Sequence, residues 1–185
     1  MAMPETVRRW TAQMVRELPD DGNRYEVVDG VLLVTPAPAA LHQVVLRELF
    51  FQLGDYLRPL ALGHTLLWSP ADISWAEDVL VQPDVFVMAP DEITASWSSY
   101  KTLRLAVEVL SPSSRRADRV AKRRAYQRYG VATYWAVDVA AGTVDVWHPG
   151  DEAAATVRDV LRWRVAPDAP VLEIDLLKLF AELPR

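Results

Sequence analysis

A single carboxylate stands in an otherwise apolar run of the sequence. Glu108 interrupts residues 105–110, whose other members are all aliphatic. Such a run is typical of a buried strand, and a carboxylate in a strand covered on both faces is costly unless it is paired or binds a metal. Strand alternation also permits the ordinary alternative, in which the side chain points to solvent. The position therefore marks Glu108 either as a functional acid or as a surface residue on a half-exposed strand.

Two further acids lie beside predicted strands. Asp84 follows Pro83 and precedes the apolar residues 85–88, and Glu26 lies within the β-rich residues 25–28. Each has an ordinary explanation, because Pro-Asp pairs are common in turns and Glu26 fits a plain surface position. On the acids alone, a two-carboxylate glycosidase is also possible.

One lysine stands among many arginines. The chain has 20 Lys and Arg residues, of which only Lys101, Lys122 and Lys178 are lysine. Asp118, Lys122 and Tyr126 are four residues apart, so they share one face of a predicted helix. The lysine indicates that an ammonium itself is required there, since it can approach a reacting oxygen as a compact charge and can shift its pKa. The alternative is an exposed ion pair, which contributes only a few tenths of a kcal/mol.

Positive charge is concentrated in the same predicted helix. Residues 115–128 carry seven cations and one acid, a net charge of +6, whereas the whole chain carries −5 and its remainder therefore −11. A basic helix next to an acidic strand favours a phosphate-bearing partner, and a solvated helix face is the alternative. Sequence-specific reading of bases has no support, since no helix-turn-helix or zinc-finger motif is visible. The candidate nucleic-acid contacts are Arg115, Arg116, Arg119, Arg123 and Tyr126.

Composition restricts the class of protein. The 185 residues are 51% hydrophobic and 24% charged, which is typical of one globular domain. The absence of cysteine excludes a disulfide framework, a thiolate metal site and a cysteine nucleophile. The N-terminus lacks the apolar run of a signal peptide, and no apolar stretch approaches the ~20 residues of a membrane helix. We therefore expect a soluble, cytoplasmic protein without a membrane partner.

The order of predicted elements is hairpin, helix, strands, helix, strands and helix. Asp-Gly at 29–30 between two apolar runs is a hairpin signal, and apolar residues recur at helical spacing over 39–57. This order predicts an α/β or α+β domain with a mixed sheet, formed by residues 23–185 behind an N-terminal arm of residues 1–22. The other predicted elements are strands at 64–68, 72–75, 79–88, 103–110, 133–138, 143–148 and 155–165, and helices at 115–129 and 174–183.

Several segments together resemble a known family of nucleases. They are RYEVVDG (24–30), QPDV (82–85), VEVLSPS (107–113) and GVATYWAVD (130–138), with Asp118, Lys122 and Tyr126 between the last two. Their residues and order are similar to the Uma-two family of endonucleases, a branch of the PD-(D/E)XK nuclease superfamily. The resemblance runs from about residue 24 to residue 180, and its most specific part is the segment 108–138.

The resemblance implies a restriction-endonuclease-like fold, a mixed β-sheet flanked by helices, with acids on adjacent strands that bind Mg²⁺. By position, Asp84 and Glu108 match the two acids, Glu26 matches an additional acid near the N-terminus, and the Val109 carbonyl is a further metal ligand. Oxygen donors of this kind are those that Mg²⁺ prefers. The superfamily commonly carries a lysine two residues after the second acid, where this chain has Leu110.

In the family, that lysine is thought to lie on the following helix, where this chain has Lys122. The resemblance thus implies an endonuclease that depends on Mg²⁺ or Mn²⁺, uses no organic cofactor and cleaves nucleic acid, with DNA favoured and a homodimer possible. Its expected catalytic residues are Asp84, Glu108, Lys122 and Glu26. The main alternative is a catalytically inactive nucleic-acid-binding or interaction protein on the same fold, because Leu110 departs from the pattern. The nuclease hypothesis requires Asp84, Glu108 and Lys122 to converge.

Overall fold

The computed structural model describes residues 9–94, 96, 99–112 and 114–183. Residues 1–8 of the predicted arm lie outside this range. The described part of the arm contains α1 (Ala12–Arg16), in which the side chain of Thr11 caps the first turn by accepting the Met14 N–H. Ala12 and Val15 of this helix are buried against a sheet formed from the next segments of the chain. The division between arm and domain at residue 22 stays a prediction.

The predicted hairpin is confirmed. Strands β1 (Arg24–Val28) and β2 (Val31–Thr35) pair antiparallel through a two-residue turn. Asp29 and Gly30 both adopt positive φ, at 55° and 77°. A turn with two left-handed residues matches the natural twist of paired strands, which explains why Asp-Gly occurs here.

The strands within the described ranges form three sheets. A four-stranded antiparallel sheet has the order β2-β1-β5-β4, a six-stranded sheet has the order β10-β9-β8-β7-β6-β3, and β11 pairs with β12. In the six-stranded sheet β7 and β8 are parallel and the other neighbours are antiparallel, so the mixed sheet is confirmed. The remaining strands are β3 (Leu66–Trp68), β4 (Ile73–Ala76), β5 (Val79–Val81), β6 (Val85–Met88), β7 (Leu103–Val109), β8 (Tyr134–Asp138), β9 (Thr143–Trp147), β10 (Ala155–Val157), β11 (Val160–Trp163) and β12 (Leu172–Asp175).

Three predicted elements were wrong in extent. Residues 79–88 are two strands in two sheets, since Pro83 has no N–H for a ladder and the chain changes sheet there. Residues 155–165 are likewise split into β10 and β11, which pair with different partners. The segment 174–183 begins as the end of β12 and becomes a helix only afterwards. Its first residues extend because they pair with β11, a long-range contact that the helical spacing does not reveal.

The helices cover both faces of the six-stranded sheet. They are α2 (Ala40–Leu57), the π-helical segment Ala117–Lys122 that continues into α3 (Arg123–Arg128), and α4 (Leu176–Ala181), with short 3₁₀ turns at Arg58–Leu60, Gly63–Thr65 and Pro90–Glu92. Helix α2 buries Leu49 and Leu53 against one face of the sheet, which includes Val85 and Val107. Gly130 ends the helix that follows β7 in a left-handed conformation, φ 73°.

The opposite face of the same strands belongs to a second core. Phe86 of β6 and Ala106 of β7 pack there with Tyr126 of α3 and with residues of the four-stranded sheet. Side chains alternate along β7, so Glu108 projects into this second core rather than toward α2. Because both faces of β7 are covered, the solvent-exposed interpretation of Glu108 is wrong: the residue is 1% exposed.

None of the helices in the described ranges is both long and apolar enough to span a bilayer.

Candidate active site

The first acid of the site is fixed at the junction of two paired strands. Asp84 directly precedes β6, and β6 runs antiparallel to β7 with Val85 opposite Val107. Its carboxylate oxygen Oδ2 accepts the backbone N–H of Val109 at 2.8 Å. This bond crosses from the start of β6 to the end of β7, and it places Asp84 beside the residue that follows Glu108.

Two side chains bind the carboxylate oxygens of Asp84. An Arg24 guanidinium nitrogen donates to Oδ1 at 2.6 Å, and the His42 ring nitrogen Nε2 lies 3.1 Å from Oδ2. These three residues line a cleft of about 960 Å³ that is open to solvent. Burial alone would raise the pKa of Asp84, but the His42 hydrogen bond and the Arg24 charge hold that pKa well below its usual range. Asp84 is therefore a carboxylate at neutral pH.

The second acid lies deeper, in contact with the helix that follows β7. Glu108 Oε1 accepts hydrogen bonds from the Lys122 ammonium at 3.0 Å and from the Tyr126 hydroxyl at 2.7 Å. Its other oxygen, Oε2, is buried and has no hydrogen-bond partner among the described residues. Burial raises the pKa of Glu108 well above its usual value, because a charged carboxylate loses its water there.

Lys122 is the centre of the buried charge network. Its ammonium lies 2.7 Å from Glu26, 3.0 Å from Glu108 and 3.2 Å from Asp118. It is 1% exposed, and Glu26 is further fixed by the Gln82 N–H at 2.7 Å. Burial alone would lower the pKa of Lys122, but the three carboxylates raise it above its usual value. Lys122 is thus a permanently charged donor in this arrangement.

The helix reaches these carboxylates through an unusual local geometry. Lys122 and Asp118 lie in the π-helical segment Ala117–Lys122, and Tyr126 lies one turn further, in α3. A π-helical turn widens the backbone and shifts the facing of the residues after it, and such turns are frequent at functional sites. Lys122 ends this segment, Tyr126 follows four residues later in α3, and both donate to the same oxygen of Glu108.

The sequence matches the family described as "Uma2: Putative restriction endonuclease" over residues 12–177. The chain belongs to this family. The structure is similar to the crystal structure of a "putative nuclease" from Anabaena variabilis, with a TM-score of 0.76 and 17% identity, covering 93% of this chain and 98% of the other. That likeness confirms the predicted nuclease-like fold, and the family description supports a nuclease-like function. No curated protein matches the sequence.

The structure brings together the acids and the lysine that were predicted for this Uma2 protein. Lys122 contacts both Glu26 and Glu108, and Asp84 is joined to the end of β7 through Val109. The Leu110 departure from the superfamily pattern therefore does not leave the carboxylates without an ammonium. Of the four predicted catalytic residues, however, Asp84 alone lines the open cleft, and Lys122, Glu26 and Glu108 lie behind its lining.

The predicted basic surface is partly neutralised within the chain. Arg115 and Arg119 both bind Asp138, at 3.3 and 3.2 Å. The Arg123 guanidinium stacks over an indole ring at 4.7 Å and donates to a glutamine on its own helix. Within the described ranges, Arg116 is exposed and has no hydrogen bond or ion pair. It is thus the predicted nucleic-acid contact whose charge is fully available.

Tyr126 occupies a different place from the one expected for a nucleic-acid contact. It is 0% exposed and donates its hydroxyl to Glu108. The hydroxyl is not accessible to a nucleic acid at the surface, so the expected direct contact is wrong for this residue. Burial raises the pKa of Tyr126 well above its usual value, which keeps the hydroxyl protonated as a donor.

The donor chemistry of the site fits a divalent cation. Glu108 Oε2 is a buried carboxylate oxygen with a free acceptor position in the described structure. The Val109 carbonyl is a second candidate: the pairing of β6 with β7 ends at Val85 and Val107, and the same register continued by two residues would put Pro83, which has no N–H to donate, opposite Val109. In the described parts of the chain, no group of three or more His, Asp or Glu side chains is already arranged around a metal position. Arg24 and His42 instead occupy the oxygens of Asp84.

Two functional candidates, Arg24 and His42, were missed in the sequence. His42 lies in register with the buried stripe of α2, three residues before Val45 and seven before Leu49. A polar side chain on that apolar stripe was the available signal. Arg24 carried no such signal, since it begins an edge hairpin and meets Asp84 only through the fold.

Proposed function

We propose that this protein is a divalent-metal-dependent endonuclease that hydrolyses phosphodiester bonds in nucleic acid, with DNA the favoured substrate. The observation that carries the proposal is an excess of buried negative charge. Four buried carboxylates lie beside two side chains of fixed positive charge and one histidine, His42, so the acids outnumber even a full set of cations. The carboxylates are Glu26, Asp84, Glu108 and Asp118, and the cations are Arg24 and Lys122.

Such an excess is unfavourable in a protein interior unless protons or a cation compensate it. Burial raises the pKa of both Glu108 and Asp118, the response expected of carboxylates that lack a countercharge. A single divalent cation would supply the missing positive charge. A bound cation would thus offset the free-energy cost of burying three further carboxylates, those of Glu26, Glu108 and Asp118, beside Asp84.

The residues have distinct roles in the proposed site. Asp84, Glu108 and the Val109 carbonyl would hold the ion, which supplies polarisation of a water and of the scissile phosphate. Arg24 and His42 orient Asp84 at the edge of the cleft. Lys122 and Tyr126 fix Glu108 from behind, so both are positioning residues. Because its pKa is raised, Lys122 acts as a charged donor and not as the base.

The proposal is tested by incubating the purified chain with supercoiled plasmid, single-stranded DNA and RNA in Mg²⁺, Mn²⁺, Ca²⁺ or EDTA. Cleavage that requires Mg²⁺ or Mn²⁺ and disappears in Glu108→Gln is expected. Glu173→Gln is the matched control, since Glu173 is an exposed strand acid paired with Arg162. Equal activity of the two variants would refute the assignment, because it would mean that Glu108 is not needed.

The second candidate function is a nucleic-acid-binding protein without turnover. It is favoured by the enclosure of Lys122 and by the three donors that already occupy Asp84. Binding of nucleic acid without cleavage of any substrate in any of the metals would favour this candidate. A homodimer and a cytoplasmic location stay predictions from the sequence.

A further inference from the structure

An exposed indole stands at the mouth of the cleft. Trp68 is 57% exposed, although tryptophan is among the side chains that gain most from burial. Of the tryptophans and phenylalanines in the described ranges, only Trp68 and Phe51 are exposed to this extent. The Trp68 ring is held by Phe50, whose ring meets it edge to face at 5.0 Å between centroids. The indole is therefore supported on one side while much of its surface remains in water.

The strand register ties this indole to the candidate active site. Trp68 ends β3, the edge strand of the six-stranded sheet, and pairs with Val85 of β6. The next residue, Ser69, donates its N–H to the backbone carbonyl of Asp84 at 3.1 Å. Trp68 and Asp84 line the same cleft. A ligand that binds at Asp84 thus has a flat, exposed aromatic surface within the same cleft.

The charges of the cleft do not by themselves attract a phosphate chain. Its two arginines are already paired, Arg16 with Asp72 at 3.2 Å and Arg24 with Asp84 at 2.6 Å. Pro36, Pro38 and Pro70 add apolar wall. A flat apolar contact would add affinity for nucleic acid that these paired charges do not supply. The π-face of a nucleobase is such a contact, and it is accessible only when the base is unpaired.

We propose that Trp68 stacks on an unpaired base, and that the cleft accepts single-stranded or locally unpaired nucleic acid. The inference rests on the proposed function only in placing nucleic acid in the cleft, and it does not require cleavage. DNA and RNA strands share the stacking chemistry, so both are used as probes. Substitution of a stacking aromatic by alanine weakens binding by roughly 5- to 100-fold per base.

The test measures binding of fluorescent 12-nucleotide probes to the full chain in EDTA, by anisotropy. The probes are single-stranded DNA, single-stranded RNA, duplex DNA and a DNA strand whose sites are all abasic. Trp68→Ala should weaken binding of the two base-containing single strands by roughly 5- to 100-fold and change binding of the duplex and abasic strand less than twofold. Trp68→Phe should restore most of the loss. Phe51→Ala is the matched control and should bind as the wild type does, since Phe51 is 51% exposed but does not line the cleft.

Unchanged single-strand binding by Trp68→Ala overturns the inference. So does an equal loss with the abasic strand, which would show that the backbone and not a base is contacted. Sedimentation equilibrium covers the remaining possibility: a wild-type dimer that Trp68→Ala converts to monomer, with single-strand affinity unchanged, assigns the indole to a second copy of the chain. If binding depends on Trp68 but no metal supports cleavage, the stacking inference is supported and the endonuclease proposal fails. If the protein cleaves nucleic acid and Trp68→Ala changes neither cleavage nor binding, the endonuclease proposal is supported and the stacking inference fails.

Discussion

Removal of the buried ammonium is the sharpest test of the charge network. In Lys122→Met, the three carboxylates that lie 2.7 to 3.2 Å from the ammonium lose their shared countercharge while remaining buried. Breaking a buried ion pair from one side costs about 3–5 kcal/mol, because the partner charge is left without water. For a chain of this length that loss corresponds to a fall in Tm of roughly 6–20 °C. Glu108→Gln removes one of the excess negative charges instead, so its cost should be clearly smaller than that of Lys122→Met.

Urea unfolding in EDTA, followed by circular dichroism at pH 7.5, measures both free energies. Lys178→Met is the matched control, because the Lys178 side chain is 72% exposed and lies 4.0 Å from its acidic partner. Its effect should stay within about 0.5 kcal/mol. If Lys122→Met and Glu108→Gln destabilise equally, or if Lys122→Met matches Lys178→Met, the reasoning from excess negative charge is refuted.

Three further predictions concern the metal, pH and the hairpin. Mn²⁺ at about 100 times its Kd should stabilise the wild type by about 2.7 kcal/mol in thermal melts, and Glu108→Gln should lose most of that shift; equal shifts would mean that the ion binds elsewhere. The raised pKa of Glu108 means that its protonated form stabilises the fold below the ordinary Glu pKa and that this contribution is lost as pH rises through the folded-state pKa. In EDTA, the unfolding free energy of wild type relative to Glu108→Gln should therefore fall between pH 4.5 and pH 7.5, and a difference that does not change with pH would contradict the assignment. Gly30→Ala should cost about 1–2 kcal/mol in urea unfolding, since Gly30 has φ 77° and a Cβ there would lie 2.9 Å from Arg9 Nε; a loss below ~0.5 kcal/mol would show that the turn relaxes.

Local patterns in the sequence predicted those parts of the fold that neighbouring residues decide. The Asp29-Gly30 turn and the helical stripe of α2 follow from backbone sterics and apolar spacing, which act within a few residues. The split of residues 79–88 between two sheets, and the extended start of 174–183, depend on partner strands far along the chain. No local preference encodes those pairings, so propensity alone gave the wrong extents.

The candidate site shows the same distinction. Glu108 and Lys122 could be found because each contradicts its surroundings, a carboxylate in an apolar strand and a lysine among arginines. His42 and Arg24 do not stand out as plainly from their neighbours in the sequence. Only the packing of α2 and of the hairpin brings them to Asp84. The sequence also overestimated how much of the positive charge on the basic helix is unpaired. The acids that bind Arg115 and Arg119 lie on the strands that follow the helix.

The parallel pairing of β7 with β8 has a consequence for where a site lysine can reside. Parallel neighbours require a crossover connection that packs back over the sheet, and here residues 115–128 form that crossover. Leu110 directly follows β7 and lies in the same core as Ala106 and Tyr126, so it is on the side of the sheet to which Glu108 projects and which the crossover covers. A side chain from the strand and one from the crossover can therefore support the same carboxylate. We therefore expect that a lysine at position 110, after the strand, could bring an ammonium to Glu108 as Lys122 of the crossover does. The position of the lysine in the sequence can then differ while the ammonium stays beside the same carboxylate.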